Sequence, residues 1–147
     1  MKRREFLASV GGAIALPVLT RPARAQNPLD AHVWAITGGA PVRNGKVRLE
    51  LPQLADNGNS VAMKVAVESP MTEAEHVKSI HLFSDRNPVT HMASFYLGPR
   101  AGKAEVRSRV RLAGSQHITA VAQLSDGSFW SDTAEVVVTL SACLDES

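Results

Sequence analysis

The sequence predicts an all-β sandwich on two observations. Apolar and polar residues alternate in short runs from Lys46 onward, and turn-forming residues separate nearly every run. A strand with one buried face needs this period of two, because its successive side chains point to opposite sides. Val47, Leu49 and Leu51 alternate with Lys46, Arg48 and Glu50. Val61, Met63, Val65 and Val67 form the next apolar face against Lys64 and Glu68, and Asp56-Asn57-Gly58-Asn59 is the turn between the two runs. The clearest run is Glu105 to Leu112, where Val106, Val110 and Leu112 face one way and Glu105, Arg107, Arg109 and Arg111 the other. Val77 to Phe83, His91 to Leu97, His117 to Leu124 and Ala134 to Leu140 bring the total to about seven strands. Asn87-Pro88, Gly98-Pro99 with Gly102, Ala113-Gly114 and Ser125-Asp126-Gly127-Ser128 supply residues suited to chain reversal. Seven short strands in about 95 residues fit an immunoglobulin-like β-sandwich.

Ahead of the strands, Leu29, Val33 and Ile36 recur at helical spacing and the run stops at Gly38-Gly39, so a short N-terminal helix is expected over Leu29 to Thr37. Pro70, with Glu73 and Glu75 following, suggests a second helical turn. Residues 1–25 read as an export leader. Lys2-Arg3-Arg4 precedes Phe6-Leu7 and a weakly apolar stretch from Ala8 to Leu19, shorter than the ~20 residues that span a bilayer. Arg3-Arg4 resembles the twin-arginine motif, and Ala23-Arg24-Ala25 offers a small-x-small cleavage site, which puts the mature start at Gln26 and the mature protein in the periplasm, free of membrane insertion. The alternative is a basic N-terminus followed by a core helix, but Gly11, Gly12 and Pro17 would weaken it. The full chain has a formal net charge of +2, yet residues 26–147 hold 11 basic and 13 acidic residues. A net negative domain gives no electrostatic case for nucleic acid.

Cys143 is the only cysteine, the fifth residue from the end in Ser141-Ala142-Cys143-Leu144-Asp145-Glu146-Ser147. Exported domains use cysteines in pairs or avoid them, so a solitary thiol on a terminal arm is a candidate carrier group. A packed, unused thiol or a cross-link between two chains would explain it equally well. The histidines at 32, 76, 81, 91 and 117 lack zinc-site spacing. His91-Met92 is the one pair suited to copper, against the commoner alternative of a half-buried strand pair. Arg107, Arg109 and Arg111 form either a solvated sheet face or an anion-binding stripe. There is no nucleophile elbow, phosphate loop or carboxylate pair, and neither Ser128 nor Ser131 has a base at recognisable spacing, so no catalytic residues and no cofactor are expected.

Several segments resemble SoxY, the sulfur-carrying subunit of the periplasmic thiosulfate-oxidising Sox system. They are Leu51-Pro52-Gln53-Leu54-Ala55-Asp56-Asn57-Gly58-Asn59, Ser69-Pro70-Met71-Thr72, Asn87-Pro88, Arg109-Val110-Arg111-Leu112 and Ser125-Asp126-Gly127-Ser128-Phe129-Trp130. The resemblance implies a sandwich over residues 26–140, a partner sandwich of the SoxZ type, and an arm over residues 141–147 that swings a cysteine between periplasmic sulfur-oxidation enzymes. Cys143 falls at that cysteine's place, which makes it the covalent attachment point, with catalysis left to haem and metal enzymes outside this chain. The arm departs from the family's Gly-Gly-Cys-Gly-Gly ending and is closer to a related subgroup with Ala-Ala-Cys-Ile-Glu. Leu144 would obstruct a narrow active-site channel. Asp145 and Glu146 disfavour the thiolate and should raise the thiol above its ordinary value of about 8.5. The rival readings are a docking sandwich that has lost the thiol's role and a copper-binding sandwich using His91 and Met92. Trp34 and Trp130 are the aromatic candidates for a partner interface, each otherwise a core residue.

Overall fold

The computed structural model describes residues 28–140; the expected leader over residues 1–25 and the expected arm over residues 141–147, including Cys143, lie outside the described residues. One helix, α1 (Pro28–Thr37), precedes nine strands: β1 (Val42–Asn44), β2 (Val47–Glu50), β3 (Leu54–Ala55), β4 (Val61–Val67), β5 (Val77–Ser84), β6 (His91–Tyr96), β7 (Glu105–Val110), β8 (Gln116–Leu124) and β9 (Phe129–Val138). The larger sheet runs β1-β9-β8-β5-β6, with β3 added to β9, and the smaller runs β2-β4-β7. The two sheets form the expected immunoglobulin-like sandwich.

The alternation read from the sequence is the alternation that builds the core. Val47 and Leu49 of β2, Val61, Met63, Val65 and Val67 of β4, and Val110 and Leu112 from the β7 run are all buried. They pack against Ile80 and Leu82 of β5 and Ile118, Ala120, Ala122 and Leu124 of β8. Between the sheets, the Leu49 N–H donates to the Asp132 carboxylate of β9 at 2.8 Å.

The larger sheet's other face is covered too. Phe83, Val121 and Phe129 form a second cluster, onto which Leu29, Val33 and Ile36 of α1 pack along with Ala40 and Val42. The helix stops where two glycines adopt φ of 62° and 87°. There the Gly38 N–H donates to the Trp34 carbonyl at 2.8 Å, a left-handed cap that suits a residue without a side chain.

Three details depart from the sequence reading. First, β1 and β3 have three and two residues, too short to show a period, and pair in parallel with the two ends of β9. Second, β9 begins at Phe129 rather than Ala134, since Phe129 to Thr133 pair with β8 although their polar run hides the alternation. Third, no helical turn forms at Pro70. Met71 takes a left-handed φ of 51° with its side chain buried in the core. Its N–H is donated to Ser69 Oγ at 3.2 Å, and Thr72 and Glu75 close a turn on themselves, the Thr72 N–H donating to the Glu75 carbonyl at 2.8 Å and the Glu75 N–H to Thr72 Oγ1 at 3.1 Å. These bonds use the capping groups that would have opened a helix and deliver the chain directly into β5.

Candidate functional site

The chain is tied down up to the last described residue. Past β9, the Thr139 N–H donates to the Ala55 carbonyl at 3.1 Å and its hydroxyl to the Asp56 carbonyl at 2.8 Å. The Gly58 N–H then donates to the Leu140 carbonyl at 2.8 Å. Cys143 follows three residues later in the sequence.

The turn that holds Leu140 also holds two arginines. Asn57 Oδ1 accepts the Asn59 N–H at 2.8 Å, shaping the turn, and the Gly58 carbonyl accepts the Leu112 N–H at 2.8 Å. Arg111 also donates to Asn59 Oδ1 and Arg109 to Ser60 Oγ, each at 3.2 Å. Of the three arginines in the β7 stripe, Arg107 is a solvated face residue in an ion pair with Glu105 at 2.8 Å, and its hydrogen bond is the main cause holding the Glu105 carboxyl below its ordinary value. Arg109 and Arg111 belong to none of the four ion pairs among the described residues.

Arg109 and Arg111 edge a mainly apolar groove of about 540 Å³ at the open side of the sandwich, between β6 and β7. Pro88, Val89, Met92 and Phe95 supply its opposite wall. Asn87 keeps the walls in register, donating from its amide to the Arg111 carbonyl at 2.8 Å while its Oδ1 accepts the Ala113 N–H at 2.9 Å.

The candidate copper pair does not converge. His91 stacks on Phe83, with ring centroids 5.0 Å apart, on the helix-covered face of the sheet, whereas Met92 packs toward the central core. Neighbouring strand residues project to opposite faces, so adjacency in sequence separates these two donors in space. No cluster of three histidine, cysteine, aspartate or glutamate side chains suited to a metal occurs among the described residues. The tryptophans part company as well. Trp34 is 65% exposed on α1, while Trp130 packs against the core, donates from its indole to Ser128 Oγ at 3.0 Å and lies beneath Arg43 and Lys46.

Sequence reasoning missed His81, which nothing but its place on β5 singles out. It is buried, with Nδ1 at 2.9 Å from Ser94 Oγ and Nε2 at 3.1 Å from Ser79 Oγ, and Ser94 Oγ lies 2.9 Å from His91 Nε2. A hydroxyl has one proton, so Ser94 donates to one imidazole and accepts from the other. Burial, then the charge of His91, hold His81 below its ordinary value of 6.5. In the window just below 6.5 the unfolded chain therefore binds more protons than the folded one, and stability, full above that window, falls with falling pH. The melting temperature should drop between about pH 7 and about pH 5, and less steeply in His81→Gln. Glu105 and Asp126, both lowered carboxyls, act in a separate window below their ordinary values of 4.5 and 3.8. Parallel melting profiles for the two proteins would remove His81 as the cause.

The described structure is thus a small sandwich whose last strand is tied to the 57–60 turn, with a groove edged by Arg109 and Arg111 between β6 and β7. The chain belongs to the SoxY family: the model of the sulfur oxidation protein SoxY matches residues 34–143, a match that ends on Cys143. Among solved structures, the sulfur carrier protein SoxY from Chlorobium limicola f. thiosulfatophilum is 30% identical, with a TM-score of 0.64 over 76% of this chain and 96% of that one. A superoxide reductase (neelaredoxin) from Ignicoccus hospitalis is 17% identical, with a TM-score of 0.57 over 64% of this chain and 80% of its own. A putative superoxide reductase from Thermotoga maritima is 20% identical, with a TM-score of 0.57 over 66% and 93%. These two likenesses are of fold alone. No curated protein matches the chain.

Proposed function

We propose that this chain is a periplasmic carrier subunit, exported by the twin-arginine route, that holds a sulfur-containing intermediate covalently on Cys143 and pairs with a SoxZ-like sandwich. One observation carries the reading: the family match runs through the whole sandwich and ends on the chain's single cysteine, three residues past the point where β9 and the 57–60 turn hold the backbone. The structural likeness to a SoxY sulfur carrier supports it. With thiosulfate as cargo, the Cys143 thiolate sulfur and the terminal sulfur of thiosulfate form a disulfide bond, and the two electrons released pass to a haem enzyme of the pathway. The carrier supplies the nucleophilic sulfur and the partner enzyme supplies the oxidant.

Intact-mass analysis of protein recovered from cells oxidising thiosulfate, with a SoxZ-like subunit co-expressed, tests the assignment. The wild-type C-terminal peptide should carry added sulfur-containing mass, and Cys143→Ser should carry none and lose thiosulfate-dependent turnover. An unmodified Cys143 together with full turnover in Cys143→Ser would overturn the carrier role and leave a docking sandwich in its place.

A further inference from the structure

We propose that the acidic arm folds back over the β6–β7 groove of its own sandwich, with Asp145 and Glu146 against Arg109 and Arg111 and Leu144 against the apolar wall. This parking site goes beyond the carrier reading and does not need a sulfur adduct.

The starting point of the arm favours it. Leu140 is bonded to Gly58, and the next two residues of that same turn, Asn59 and Ser60, accept from Arg111 and Arg109. The five residues from Leu140 to Asp145 span at most about 17 Å, which covers two guanidiniums anchored on the turn where the arm begins.

Charge favours it as well. Residues 26–140 carry 11 basic and 11 acidic residues, so the whole excess of acid in residues 26–147 sits in the arm, as Asp145 and Glu146. Arg109 and Arg111 bond only to neutral acceptors among the described residues, which leaves both guanidiniums free to take a carboxylate each. Arg107 on the same strand already has Glu105, so the available pair is the one nearest the exit. Opposite these arginines, beside Val89, which is 68% exposed, the groove offers Met92 and Phe95, an apolar wall that suits the single large apolar side chain of the arm, Leu144.

A parked arm pairs Asp145 and Glu146 with the two arginines and keeps the thiol on the sandwich until a partner with its own basic surface draws the acids away.

A neutral nitroxide attached to Cys143 of the full chain reads the contact as paramagnetic broadening of backbone amides. Val89 and Met92 are the informative positions, since the 57–60 turn lies beside the exit wherever the arm goes. Broadening at Val89 and Met92 is expected at low salt. It should fall as the docked-to-undocked ratio drops about fivefold, the combined effect of two exposed ion pairs, in Arg109→Glu with Arg111→Glu or at about 0.5 M salt. Asp145→Lys with Glu146→Lys should lose it too, and the four changes together should restore it. Asp145→Asn with Glu146→Gln, confined to the arm, gives the same loss without touching the sandwich should the arginine variants fail to fold. No broadening at Val89 and Met92 in the unsubstituted arm, or broadening indifferent to salt and to the charge swaps, would overturn parking and leave the groove to another molecule. A thiol that parks but takes no sulfur would sink the carrier function alone.

Discussion

Phe83→Ala should cost the sandwich about 3–5 kcal/mol and free α1 from the sheet. The ring is 0% exposed on the outer face of β5, in the cluster with Val121 of β8 and Phe129 of β9 that Leu29, Val33 and Ile36 of the helix cover. It also carries the His91 ring at 5.0 Å. Alanine removes the floor beneath a helix whose attachment to the sandwich is largely this one cluster, and the lost transfer energy adds to the cavity left behind. Urea unfolding should show the reduced midpoint, and hydrogen exchange should show the amides of α1 opening ahead of the sheet. Val137→Ala, on a half-exposed β9 position, should stay close to wild type. Equal losses in the two variants would mean that the outer cluster is not a separate source of stability.

The helix and the strands that meet at Phe83 were legible for the same reason: each exposes one face and buries the other, and that contrast is written in the sequence as a period. All seven expected strands are present, and Leu29, Val33 and Ile36 do lie together on the buried side of α1. What stayed hidden had no period to show. β1 and β3 are too short, the first half of β9 carries the polar run Ser131-Asp132-Thr133 on partly exposed positions, and Pro70 opens a turn in which Met71 takes a left-handed φ and is buried. The site divides in the same way. Cys143 stands out by being solitary, while the relation of Arg109 and Arg111 to the arm's exit depends on the 57–60 turn meeting both β9 and β7, a contact among residues about 50 and 80 apart that no local pattern reports. His91 and Met92 show the converse, since adjacency suggested a shared ligand set and the pleat sends the two side chains apart.

Gln116→Leu should cost about 2–4 kcal/mol and loosen the groove wall that faces the arginines. Gln116 is 5% exposed at the start of β8 and holds two loops together. Its Nε2 donates to Asn87 Oδ1 at 2.9 Å and to the Gly114 carbonyl at 3.0 Å, and its Oε1 accepts from the Ser84 hydroxyl. Ser84 Oγ in turn accepts the Asn87 N–H at 2.7 Å and the Arg86 N–H at 3.2 Å, which curls the β5–β6 loop back onto the strand. Leucine is similar in volume, so the substitution tests the hydrogen bonds rather than the packing. It leaves the fully buried Ser84 hydroxyl without its acceptor and the Gly114 carbonyl without this donor, and each such group costs about 1–3 kcal/mol. The Asn87 side chain then keeps only its bonds to Ala113 and Arg111, so Pro88 and Val89 lose part of what fixes them opposite Arg109 and Arg111. Gln123→Leu, on the outer face of the same strand and without a side-chain hydrogen bond among the described residues, is the matched control and should shift the urea midpoint little. Amide exchange at Val89 and Thr90 should rise in Gln116→Leu alone, and the broadening that a nitroxide on Cys143 causes at Val89 should weaken with it. If both substitutions leave stability within about 0.5 kcal/mol of wild type, the buried amide network does not hold the groove and the packing of Leu82 and Met92 must do so instead.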